Sequence, residues 1–194
     1  MKKWVFATNN QHKIQEAKAI LGDFAEIVSL KDINFNEEID ETADTFQGNA
    51  SLKAQTVFEK TGFPCFADDS GLCVEALNLM PGVKSARYAV ENGPVNHLLN
   101  NQKLLFELGD ESNRKAFFIT VICAVGFEEF PLFFEGKVHG SIAFEPKGNQ
   151  GFGYDPLFVP QEFQKTFAEL GPEIKNSMSH RANALNLMKS YFSQ

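Results

Sequence analysis

Lys115 to Gly126 is apolar on both sides of an extended chain: Phe117, Ile119 and Val121 alternate with Phe118, Ile122 and Ala124. Such a segment predicts a central strand, because each of its faces must be covered by other parts of the chain. The flanking pattern supplies the cover. Lys3 to Thr8 reads as a short buried strand, Asn9 to Gln11 as a turn, and His12 to Leu21 as a helix with Ile14, Ala17 and Leu21 on one face. A strand is expected near Glu26 to Leu30, then an acidic loop from Asn36 to Asp44. A helix from Thr45 to Lys60 follows, its inward face formed by Phe46, Ala50 and Val57. Phe63 to Ala67 and Leu72 to Leu77 read as two strands joined by a turn at Asp68 to Gly71. Pro81-Gly82 marks a loop, and Asn96 to Leu108 a helix. Glu128-Glu129 turns the chain into a strand from Phe130 to Ser141, Gly148 to Pro156 is a glycine-rich loop, and a last helix covers His180 to Phe192. Alternating strands and helices followed by a long hairpin predict an α/β fold with a mixed sheet. No repeat or linker divides residues 1–194, which are read as a single domain.

Composition excludes several classes of function. A net charge of −7 argues against general binding to nucleic acid or to anionic membranes, although a local cluster of cations can still hold a small anion. The apolar runs are strand-length and interrupted by charge, so no membrane span is expected. The apolar stretch after Lys2-Lys3 is too short for a signal peptide, and a cytoplasmic location is expected. Cys65, Cys73 and Cys123 cannot all pair and lack zinc spacing; they read as reduced core thiols.

Five constellations could carry chemistry. Phe66-Ala67-Asp68-Asp69-Ser70-Gly71 ends an apolar run in two adjacent carboxylates. Withdrawing each from water costs several kcal/mol, so the pair calls for a metal, a base role or plain solvation. Thr8-Asn9-Asn10-Gln11-His12-Lys13 lies between strand and helix. It reads as a phosphate cradle built on a helix N-terminus, or as a simple capped helix start with a solvated lysine. In Glu41, Thr45, Phe46, Asn49, Ala50 and Lys53, the last lysine sits one turn from Asn49 on an otherwise apolar face. It either meets an anion or snorkels at the helix edge. Gly151-Phe152-Gly153-Tyr154-Asp155-Pro156 either exposes an aromatic face for stacking on a base or tucks Phe152 into the core. Lys175-Asn176 and Ser179-His180-Arg181 fall at the start of the last helix.

In this order and spacing, the blocks resemble the inosine triphosphate pyrophosphatase family from Val5 to about Leu187. The matching pattern also includes Pro81-Gly82-x-x-Ser85-Ala86-Arg87-Tyr88. The resemblance implies a long mixed β-sheet flanked by helices, in two lobes with the active-site cleft between them, and a homodimer dependent on Mg²⁺. By motif position, Glu41 and Asp69 would serve the metal, with Asp69 also the general base. Thr8, Asn9, Asn10, Gln11, His12, Lys13, Lys53 and Ser70 would hold phosphates. Phe152, Gly153, Tyr154, Asp155, Lys175, His180 and Arg181 would bind the nucleoside end.

The implied activity is hydrolysis of non-canonical purine nucleoside triphosphates (ITP, dITP, XTP) to the monophosphate and pyrophosphate, cleansing the nucleotide pool. Lys175 or Arg181 donating to a 6-keto oxygen would favour hypoxanthine and xanthine over adenine. Two other readings are a pyrophosphatase for modified pyrimidine triphosphates and a nucleotide-binding module without hydrolysis. The Lys175 to Arg181 block speaks against the first. Asp68-Asp69 speaks against the second, since a pure binder gains nothing from acids beside a polyanion.

Overall fold

A computed structural model describes residues 2–194. The strands are β1 (Lys2–Phe6), β2 (Ala25–Ser29), β3 (Cys65–Val74), β4 (Lys115–Val125), β5 (Leu132–Ile142) and β6 (Phe158–Pro160). The helices are α1 (Gln11–Leu21), α2 (Phe46–Thr61), α3 (His97–Leu108), α4 (Phe167–Met178) and α5 (His180–Phe192). The sheet order is β2-β1-β3-β4-β5-β6, which puts β4 in the interior as its two apolar faces require. The sheet is mixed: β1 runs parallel to β2 and β3, and β5 antiparallel to β6.

Most helix ends follow from local chemistry. Asn10, Thr45 and Asn96 each accept backbone N–H bonds as N-caps of α1, α2 and α3. Gly62 closes α2 at a φ of 69°. Two elements depart from the sequence pattern. The helix α4 was hidden by Gly171-Pro172, where the backbone leaves helical geometry and Pro172 opens a second segment. The strand β6 has only three residues, too few to show a period.

The largest correction concerns Asp68 to Gly71. These residues form no exit turn; β3 passes through them without a break from Cys65 to Val74. Asp, Ser and Gly favour turns because their side chains or freedom compete with regular backbone. Here Leu72 and Val74 are fully buried further along the same strand, and both acids are buried among partners rather than solvated.

The chain divides into two compact units. Of the described residues, the first comprises 2–69, 120–136 and 180–194, and the second 70–119 and 137–179. In the first unit, one face of the sheet packs Trp4, Phe6, Phe66 and Ile122 against α1 and α5. The other face packs Val5, Ala7, Cys65, Ala67 and Cys123 against α2. Gly136 of β5 lets α5 dock closely, since a Cβ there would strike the carbonyl of His180 and the amide of Ala184. In the second unit, Leu72, Phe118, Val138 and Phe158 surround Leu104 and Leu108 of α3. Several phenylalanines pair within these cores; Phe6 and Phe66 stack with ring centroids 4.5 Å apart. No helix among the described residues is long and apolar enough to cross a membrane.

All three cysteines are free and buried. Burial pushes the Cys65 thiol from an ordinary 9.0 up to about 12, and Cys73 and Cys123 up to about 11. The folded state therefore holds these protons more tightly than the unfolded chain. The associated stability is present below about pH 9 and is lost as pH rises toward the folded values. Native protein at neutral pH should resist thiol reagents until denaturant is added, and rapid labelling of the native form would contradict the burial of these groups.

Candidate active site

Successive residues of a strand point to opposite faces of its sheet, so Asp68 and Asp69 part company at once. Asp68 shares a face with Phe66 and meets α1 and α5. Its Oδ1 accepts from Lys13 Nζ at 2.9 Å and its Oδ2 from Arg181 Nε at 3.0 Å. The Arg181 guanidinium also donates to Glu16 of α1. Both Asp68 and Arg181 are almost wholly buried. Burial alone would raise the carboxyl, but Lys13, Arg181 and Lys53 hold it well below the usual carboxylate range. Losing one partner of such a pair leaves a buried charge, at a cost of about 3–5 kcal/mol. Arg181 itself is pushed up, its burial outweighed by Asp68 and Glu16.

Asp69 shares the other face with Ala67 and meets α2. Asn49 Nδ2 donates to its Oδ2 at 3.1 Å, and Lys53 Nζ lies 3.9 Å from its Oδ1. Asn49 Oδ1 in turn accepts from the backbone N–H of Ala43 at 2.9 Å, tying the acidic loop to the helix. Lys53 also donates to Glu41 of that loop. The anion expected beside Lys53 is thus a pair of carboxylates. Burial pushes Asp69 up to about 6; Lys53 opposes this, Glu41 adds repulsion, and Lys13 and Asn49 oppose it further. One strand therefore carries two neighbouring acids of contrasting character. Asp68 is firmly ionised, and Asp69 binds a proton far more readily.

Glu41 and Asp69 fit a hard cation in one specific respect: both carboxylates already share the single ammonium of Lys53. Mg²⁺ takes one or two carboxylates and leaves its remaining positions to water and phosphate oxygens. Among the described residues no group of three or more His, Cys, Asp or Glu is placed to hold a metal ion, so a cation at this pair would take its other positions from elsewhere.

The segment Thr8 to Lys13 forms a capped helix start. Asn10 Oδ1 accepts from the backbone N–H groups of His12 at 3.0 Å and Lys13 at 3.3 Å, and Thr8 Oγ1 accepts from the N–H of Asn10. Asn9, Gln11 and His12 are exposed. Burial lowers the Lys13 ammonium, and Asp68 only partly offsets it. Ser70 continues β3 and is half-buried.

In the second unit, Gly151 and Gly153 have φ of 76° and 64°, conformations that favour glycine, and they fold the chain back around Phe152. Asp155 is the hub of this turn. Its Oδ2 accepts from the backbone N–H of Phe152 at 2.8 Å and from Lys175 Nζ at 2.7 Å. Lys175 Nζ also lies 4.4 Å from the centroid of the half-buried Phe152 ring. Tyr154 is buried and donates its hydroxyl to the carbonyl of Ser85 at 2.9 Å.

The structure divides the last sequence block. Lys175 lies on α4 in the second unit with Asp155 and Phe152, whereas His180 and Arg181 open α5 in the first. The sequence reading assigned no role to Glu16, although Lys13, Glu16 and Ala17 fall together at helical spacing. Asn49 was named without a task, and Asn100 and Asn101 of α3 were overlooked.

The profile of the Ham1 family matches residues 4–191. A dITP/XTP pyrophosphatase of Porphyromonas gingivalis is 51% identical over 192 residues, covering 98% of this chain and 97% of its own. One from Flavobacterium psychrophilum is 48% identical over 188 residues, covering 97% of each. The solved structure of the Staphylococcus aureus Ham1 protein superimposes with a TM-score of 0.88 at 40% identity, covering 99% of this chain and 98% of that one. With a profile match and relatives that span nearly its full length, this chain belongs to the Ham1 family.

Proposed function

We propose that this protein is a pyrophosphatase that hydrolyses non-canonical purine nucleoside triphosphates (ITP, dITP and XTP) to the monophosphate and pyrophosphate, removing them from the nucleotide pool. The observation that carries the reading is the pair Glu41 and Asp69, two hard-oxygen donors gathered on one ammonium beside the ionised Asp68. The names of the relatives support the substrate class.

Glu41 and Asp69 would hold Mg²⁺, which when bound supplies Lewis-acid neutralisation of phosphate oxygens. The remaining work falls to the chain itself. A triphosphate brings about four negative charges near neutral pH, and a net-acidic protein must offset them locally. Lys13 and Lys53 are held by acids, so phosphate oxygens meet cations already oriented. Asp69 accepts the proton of the attacking water as its oxygen bonds to phosphorus. The bridging P–O bond breaks, and its electron pair leaves on pyrophosphate. Phe152 would stack on the base, with Lys175 donating to a 6-keto oxygen. Adenine would present its amino group to that ammonium, donor against donor. A polar mismatch of this kind can discriminate by roughly 10⁴-fold, against about 10² for shape alone.

Three measurements bear on the proposal. Pyrophosphate release should be faster from inosine and xanthosine triphosphates than from ATP, GTP, CTP or UTP, and should require Mg²⁺. Equal rates on inosine and adenosine triphosphates would remove the selectivity argument. Replacing the base, Asp69→Asn should lower turnover by about 10³-fold or more while substrate still binds, and near-wild-type turnover would take Asp69 out of that role. The resemblance also implies a cytoplasmic homodimer. Leu98 and Phe106 of α3, 66% and 86% exposed, are apolar surface of the kind an assembly covers. Sedimentation equilibrium should give twice the chain mass of 21.7 kDa, and a single species at that mass would contradict the dimer.

A further inference from the structure

The buried stripe of α3 consists of Asn100, Asn101, Leu104 and Leu108. Leucines there fill the core, but two adjacent asparagines are costly on such a stripe unless their amides bond to something specific. Asn101 Nδ2 donates to the carbonyl of Gly153 at 3.1 Å. Its Oδ1 is buried and accepts no hydrogen bond among the described residues, so the donation to Gly153 is what orients the amide. Asn100 is satisfied at both ends. Its Nδ2 donates to the carbonyls of Ser85 and Ala86 at 3.3 and 2.8 Å, and its Oδ1 accepts from the N–H of Ala89 at 2.8 Å.

The two asparagines act on consecutive residues of one turn. Asn101 holds the carbonyl of Gly153. Asn100 holds the carbonyl of Ser85, which is the acceptor for the Tyr154 hydroxyl. Ser85 is fixed from its other side as well, since its Oγ accepts from the N–H of Leu72 at 2.8 Å and donates to the carbonyl of Gly82 at 2.6 Å. Gly153 sits at positive φ without a side chain to anchor it, so its peptide orientation depends on what holds that carbonyl.

We propose that the asparagine pair of α3, with Ser85, is the frame that sets the position of the turn Phe152 to Asp155, making Asn101 a positioning residue for base discrimination. The proposal rests on the nucleotide reading above. It also gives a task to Pro81 to Tyr88, a block whose own residues have no assigned chemistry. Its Ser85 carbonyl is the peg on which Tyr154 is hung.

The test is steady-state pyrophosphate release from inosine and adenosine triphosphates by the wild type, Asn101→Asp, Tyr154→Phe and the double variant, with melting temperatures recorded in parallel. Asn101→Asp keeps the size of the side chain and removes the N–H donor. It should raise KM for inosine triphosphate by roughly tenfold with little change in kcat, and narrow the inosine-over-adenosine preference by a similar factor. Tyr154→Phe should move both quantities the same way, and the double variant should lose less than the product of the single effects, as members of one network do. A lower melting temperature with unchanged KM and preference would reduce Asn101 to a structural role and overturn the proposal. Should Asn101→Asp fail to fold, Tyr154→Phe alone decides, and an unaltered preference there is equally fatal. A wild-type enzyme without preference for inosine triphosphate would instead defeat the underlying nucleotide reading.

Discussion

The pleat of β3 is the constraint on which the first unit depends. Two acids stand side by side in the chain, yet alternation sends them to opposite faces of a buried sheet, where their hydrogen-bond donors come from different helices. Each face must therefore bring its own donors. On one, α1 supplies Lys13 and α5 supplies Arg181; on the other, α2 supplies Asn49 and Lys53. The helices dock through apolar contacts, but the strand's charges dictate which helical residue must arrive where. Chemical contrast follows without further machinery. The acid with two close cations stays ionised, and the one with an amide and a shared ammonium titrates near the working range of a base.

The second unit solves a different problem by joining one buried ion pair to neutral groups. A turn built on glycines has little intrinsic rigidity. Its order comes from hydrogen bonds that tie it to its surroundings: Lys175 donates to Asp155, Asn101 donates to the carbonyl of Gly153, and Tyr154 donates to the carbonyl of Ser85. Ion pairs organise the first unit, and an ion pair joined to neutral hydrogen bonds organises this turn of the second.

Much of this was legible in the sequence because it is local. The two-faced apolar run at Lys115 to Gly126, the helix starts near His12, Thr45 and Asn96, and the helix from His180 to Phe192 all lie within one or two residues of where the hydrophobic pattern puts them. What was not legible depends on residues distant in the chain. Asp-Asp-Ser-Gly reads as a turn to any local rule, since the arginine that stabilises it in a strand lies 113 positions away. The helix α4 was concealed by Gly171-Pro172, whose local signal for a break is correct but whose flanks are both helical. Glu16 resembled any solvated helix residue, and Asn100 and Asn101 looked like surface polarity because a buried amide leaves no periodic signature of its own.

The order of the chain has a consequence for how the protein is made. The first unit is assembled from three separated segments, and the residues of the third, 180–194, are synthesised after those of the other two. Until they are made, β3 carries a buried carboxylate with only one of its two close cations, and a sheet face lacks the helix that seals it. Contacts of such long sequence separation form late and slow the search for the native state. The nascent chain can therefore build the second unit's segments before the charge-bearing half is complete. Loss of α5 as a whole would remove the arginine paired with Asp68 as well as a covering helix.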